Sequence, residues 1–212
     1  MLSLFNRKRK NALPDWLKHY LEQNFNIEPS PDCRYVVLDC ETTGLSKSDS
    51  IITLGALLCT ENEIFLNRIL DQKYPLSESS KSSEIHGELA HQSEANLDEH
   101  IEELIGFVLN HVIVGHNIAF DIGKINQLLQ KKYGIKLKNK VLDTAQMAIR
   151  LDPVKYERAV GGQSNLSLDD LCKHYHIAIE NRHTALGDAY LTAQLLHKLI
   201  YRLGQKGITK II

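Results

Sequence analysis

Between Arg34 and Leu70 three short apolar runs, RYVVLDC, SIITLGALLC and NEIFLNRIL, follow one another with turn-forming residues between them. This spacing predicts three consecutive strands. A polar stretch from Asp71 to Ser83 follows, then a helix whose Leu97, Ile101, Leu104, Ile105 and Val108 line one face. From there the pattern alternates: the strand HVIVG, a helix over about 118–132 stopped by Gly134, a short strand at Val141 and Leu142, and a helix over about 143–150. Consecutive strands followed by strand–helix alternation specify an α/β domain with a mixed sheet flanked by helices.

The remaining segments fit around that unit. MLSLFNRKRKNA reads as a basic arm, either a solvated tail or a phosphate-contacting one. Pro14 starts an amphipathic helix carrying Trp16, Leu17, Tyr20, Leu21 and Phe25, which EPSPD ends. LDPVKYERAVGGQSN reads as a long surface loop. Ser167 and Asp170 form a capping box before a short helix, and a last helix runs from about Thr184 to Leu203, ended by Gly204. The division expected is 1–33 as arm and helix, 34–204 as the main domain and 205–212 as a tail.

At 212 residues and 43% hydrophobic composition, the chain buries roughly 70% of its unfolded surface without disulfide or structural-metal support. The net charge of −1 puts any nucleic-acid-binding surface on a local patch. The four cysteines show no CxxC pair and no zinc-finger spacing, so a reduced, cytoplasmic protein is expected. No run is long enough to span a bilayer, and no signal peptide or membrane partner is expected.

The chemistry begins at the end of the first strand. Asp39 and Glu41 lie two residues apart and therefore project from one face, with Cys40 pointing to the other. Two like charges side by side in an apolar strand require a neutralising cation, and the adjacent sequence supplies no Arg or Lys. A solvated strand end that caps the turn is the plain alternative. Other acidic residues fall at comparable places: Asp121 opens a helix after HVIVG, and Asp188 lies near the start of the last helix, five residues after His183. Four carboxylates form the hard-oxygen set that Mg²⁺ or Mn²⁺ prefers.

DCETTG, HNIAFD and HTALGDA resemble the three motifs of the DEDDh 3′–5′ exonuclease superfamily, in the same order and on the expected elements. The chain looks most similar to the proofreading (epsilon) subunit of bacterial DNA polymerase III and its stand-alone relatives, with ribonuclease T and oligoribonuclease as more distant cousins. The resemblance implies an RNase H-like fold with a five-stranded mixed sheet. It also implies two divalent ions, Mg²⁺ or Mn²⁺, held by Asp39, Glu41, Asp121 and Asp188, with His183 as general base. Thr42, Thr43 and Leu45 would receive the terminal sugar and base. His86, within Glu84, Ile85, His86 and Gly87, would flank the base, and His116 with Asn117 would face the scissile region. Glu88 stands where relatives usually carry an apolar residue.

The implied activity is removal of nucleoside 5′-monophosphates from single-stranded DNA 3′ ends, with a replicative polymerase or repair machinery as partner. The end of the chain at Ile212 favours the repair setting. An RNA-directed exonuclease uses the same chemistry, and a nucleic-acid-binding module without catalysis is the alternative of another class. The segment QLLHKL from Gln194 is explained by core packing.

Overall fold

A computed structural model describes residues 13–27, 34–46, 48–75, 95–157 and 166–208. The basic arm and the His86 segment lie outside these residues, as do the middle of the loop at 158–165 and the end of the tail.

The elements are α1 (Asp15–Leu21), β1 (Tyr35–Thr42), β2 (Ile51–Cys59), β3 (Ile64–Lys73), α2 (Ala95–Val108), β4 (Val112–Gly115), α3 (Ala119–Tyr133), β5 (Val141–Asp143), α4 (Thr144–Leu151), α5 (Pro153–Glu157), α6 (Leu168–His174) and α7 (Ala185–Gln205). The strands form one five-stranded sheet in the order β3-β2-β1-β4-β5. Two hairpin connections make β1, β2 and β3 antiparallel, and helical crossovers make β4 and β5 parallel to β1. The mixed sheet expected from the sequence is the one observed.

Strand alternation sorts the core into two layers. Tyr35 and Val37 of β1 and Leu57 of β2 pack with α4, α6 and α7. Val36, Leu38 and Cys40 pack on the other face with α1, α2 and α3. Asp39 and Glu41 continue the row of Tyr35 and Val37, and so share the face covered by α7. QLLHKL belongs to the core, since Leu195, Leu196 and Leu199 of α7 are fully buried.

Three segments differ from expectation. α1 ends at Leu21, and Phe25 instead folds back edge-on against Tyr20 at 5.0 Å. The loop after Leu151 contains a short helix begun by Pro153, because Tyr156 finds a buried seat (3% exposed) in the α4–α7 layer. α7 runs through Gly204. It stops where Gly207, at φ 72°, turns the chain and lets the Ile208 amide donate to Leu203 O at 2.9 Å.

Candidate active site

The site lies where β1 outruns its parallel neighbour. β4 pairs with β1 only from Tyr35 to Val37. Beyond that point the carboxylate of Asp121, in the first turn of α3, accepts the Cys40 amide at 3.0 Å. On the α7 face Asp39 is paired with Gly55 of β2. A Cβ at Gly55 would stand 2.1 Å from the Leu186 amide nitrogen, so the absent side chain is what lets the start of α7 press onto the sheet. Thr184 caps α7, accepting from the Gly187 amide at 3.2 Å and donating to Asn181 O at 2.8 Å. One turn later Asp188 faces Asp39.

These constraints bring Asp39, Glu41 and Asp188 together, with one oxygen of each within 4.8 Å of the others. Asp121 stands outside this tight group but is close enough to act on it electrically. Burial pushes the Asp39 carboxyl up to about 8, helped by the negative charges of Asp121, Asp188 and Glu41. Burial likewise raises Asp121 to about 7, against the Cys40 amide bond that favours its charged form. Cys40 is buried on the opposite face, and its thiol is pushed up by burial and by the carboxylates nearby. It is no nucleophile.

A positive charge does reach the cluster. Arg182 bridges Asp169 and Asp188, giving its Nε to the first and an Nη to the second. The sequence around Asp39 could not show this, because Arg182 arrives through the packing of α6 beside α7, far along the chain. Its position next to His183 was the available signal. The guanidinium occupies only one oxygen of Asp188; among the described residues the other, Oδ1, is buried without a hydrogen-bond partner. An unpartnered carboxylate oxygen beside two further carboxylates, one of them strained toward its neutral form, is a donor set that fits a divalent cation. Asp39, Glu41 and Asp188 form its core, and Asp121 lies at its edge.

His183 stands on the rim. It is exposed and sits at φ 62° in a turn that also holds Asn181 at φ 53°. Two non-glycine residues in the left-handed region show that this turn is held against local preference. With Glu41 and Thr42, His183 lines a groove of about 850 Å³ that continues over Leu66, Ile69 and Tyr190.

Across the cluster, Thr42 donates to Gly44 O at 2.8 Å, and the Leu45 side chain is 87% exposed at the tip of the β1–β2 turn. His116 is tied through Nδ1 to Thr144 at 3.0 Å, and burial lowers its pKa. Asn117, at φ 54°, donates its amide to Asp143 at 3.2 Å. His86 lies outside the described residues. Sequence reasoning missed Arg182, Asp169 and Gly55, whose roles come from contacts between elements.

The fold and this acidic site define a nuclease. The chain belongs to the exonuclease family, whose model matches residues 36–196. It is 35% identical over 178 residues to the PolC-type DNA polymerase III of Clostridium perfringens, covering 80% of this chain and 11% of the relative. With the PolC-type polymerase of Thermotoga maritima it shares 30% over 188 residues, 85% of this chain and 13% of that one. The chain thus spans about an eighth of these relatives. Among solved structures, E. coli exonuclease I in complex with a dT13 oligonucleotide superposes with a TM-score of 0.64 at 18% identity, over 83% of this chain and 43% of that one. Exonuclease X in complex with 5′-overhanging duplex DNA gives 0.55 at 21% identity, over 84% and 97%. These likenesses show the RNase H-like fold. No helix among the described residues is long and apolar enough to cross a membrane.

Proposed function

We propose that this exonuclease removes nucleotides one at a time from the 3′ end of single-stranded DNA, releasing nucleoside 5′-monophosphates. The observation that carries the reading is the convergence of Asp39, Glu41 and Asp188 within 4.8 Å around an unpartnered carboxylate oxygen. Two divalent ions, Mg²⁺ or Mn²⁺, held by these residues and Asp121, would supply Lewis-acid activation of water and neutralisation of phosphate charge.

The chain's own groups do the rest. An imidazole nitrogen of His183 takes the proton of the attacking water, whose oxygen bonds to the phosphorus as the bond to the preceding 3′ oxygen breaks and that oxygen takes up a proton from solvent. The exposure of His183 on the groove rim gives the strand access to it. Arg182 holds Asp188 by one oxygen and leaves the other without a hydrogen-bond partner among the described residues. Thr42, Thr43 and Leu45 receive the terminal nucleotide, and His116 and Asn117 border the scissile phosphate. DNA as the polymer, and a polymerase or repair assembly in the cytoplasm as the setting, are supported by the PolC-type relatives.

A time course on 3′- and 5′-labelled single-stranded DNA and RNA of one sequence, with Mg²⁺, Mn²⁺ or chelator, tests this. Stepwise metal-dependent shortening from the 3′ end, faster on DNA, is expected. Faster loss from RNA would transfer the enzyme to RNA turnover, and binding without shortening would refute the catalytic reading.

A further inference from the structure

One buried charge has no part in that chemistry. Lys124 of α3 is 6% exposed, and its Nζ lies 2.6 Å from Ser46 O and 2.6 Å from Asp49 O, both in the β1–β2 loop. The ring of Phe120 lies 5.3 Å from the same nitrogen. Among the described residues Lys124 forms no salt bridge with a carboxylate. An ammonium removed from water and bonded to neutral carbonyls is a poor choice for stability alone, because an apolar residue would fill the same space without the desolvation cost.

The loop it holds is braced from within. The Asp49 carboxylate accepts from the Ser46 amide at 2.6 Å and from the Thr43 hydroxyl at 3.2 Å, and the Thr43 hydroxyl accepts the Ser50 amide at 3.1 Å. A Cβ on Gly44 would meet Asp49 Oδ2 at 2.7 Å, so this carboxylate also fills the space under the turn. The brace sets the loop's shape, and Lys124 sets where that shape stands. Asp121 and Lys124 are three residues apart on one helical face. The first grips β1 at the Cys40 amide and the second grips the loop that leaves β1. One helix turn thereby fixes both the acidic cluster and the turn carrying Thr42, Thr43 and Leu45.

We propose that Lys124 is a positioning residue for the terminal-nucleotide turn, clamping the Ser46 and Asp49 carbonyls so that Thr42–Leu45 stands in fixed relation to Asp121. The inference rests on the proposed function for what the turn binds, but not for the clamp itself. The test uses the full chain carrying Lys124→Met or Lys124→Arg, with steady-state kinetics on a 3′-labelled single-stranded oligonucleotide and amide hydrogen exchange across residues 43–50.

Lys124→Met should raise KM roughly tenfold, the usual worth of a hydrogen bond to a charged group, with kcat within about twofold of wild type. Exchange in the loop should speed up, and Lys124→Arg should restore most of both. Lower thermal stability with KM and loop exchange unchanged would overturn the proposal. So would an equal loss of kcat and kcat/KM. If Lys124→Met does not fold, Lys124→Gln, which keeps a donor in the site but is one bond shorter, replaces it, and an unchanged KM and loop exchange there would also refute the clamp. Absence of exonuclease activity in the wild-type chain would defeat the functional reading, while the exchange data would still decide the clamp.

Discussion

Asp39 and Asp188 sit on a strand and a helix locked by packing on both sides, whereas His183, Thr43 and Leu45 sit in turns held by a few hydrogen bonds. The carboxylate floor is also electrically frustrated: burial and mutual repulsion hold Asp39 near 8, and Arg182 compensates only one edge. The rim is solvated and shows its tension in the backbone instead, as left-handed Asn181 and His183. A core built only for stability would not gather carboxylates this way. In the proposed function the floor receives positive charge and the rim meets a strand, so substitutions in the two regions should fail differently.

The largest expected effect is on the floor. Asp39→Ala removes a donor from the centre of the cluster and should lower turnover by more than about 10³-fold, equivalent to several kcal/mol of lost charge stabilisation. Mn²⁺ binding followed by paramagnetic resonance should weaken in parallel. On the rim, His183→Ala should cost about 10²–10⁴-fold in turnover yet leave Mn²⁺ affinity close to wild type. An active His183→Ala enzyme would end the assignment of the proton acceptor. A variant that lost metal as well would erase the distinction between floor and rim.

Gly55 offers a way to disturb the floor without touching its carboxylates. Gly55→Ala drives a methyl group into the Leu186 amide, so α7 must lift from β2 and carry Asp188 with it. The expected cost is about 1–3 kcal/mol of stability, the range for an overpacked contact. Activity should fall further than the melting shift explains. Unchanged activity would show that the cluster tolerates displacement of α7.

Much of this arrangement was legible in the sequence for a physical reason. Alternation on β1 puts Asp39 and Glu41 on one face, helix starts after β4 and at α7 supply Asp121 and Asp188, and the three-motif resemblance joins the four into one site. The mixed sheet followed from consecutive strands preceding strand–helix alternation. What sequence could not show was which distant groups meet. Arg182 reaches Asp169 only because α6 lies beside the start of α7, and Lys124 meets Ser46 only because α3 passes beneath the β1–β2 loop. The end of α7 was misplaced because Gly204 and Gly207 are equally good stop signals in sequence. Only the backbone of Gly207 takes the left-handed turn.

The smallest effect separates floor from rim without any turnover. Asp39 has a carboxyl raised from 3.8 to about 8 in the fold, so its neutral form is the favoured one there. Its contribution to stability is complete below the ordinary carboxylate range and is lost as pH rises through about 8, because the unfolded chain then holds fewer protons. In chelator, Asp39→Asn keeps the shape and removes this liability. The variant should therefore melt above wild type at pH 8, with the gap closing toward pH 4. Excess Mn²⁺ at pH 8 should reverse the order, since only the ionised wild-type cluster gains from binding. Scanning fluorimetry over that pH range, with and without the ion, decides it. A gap independent of pH would mean that Asp39 is charged throughout, and that the floor is not the frustrated region its burial implies.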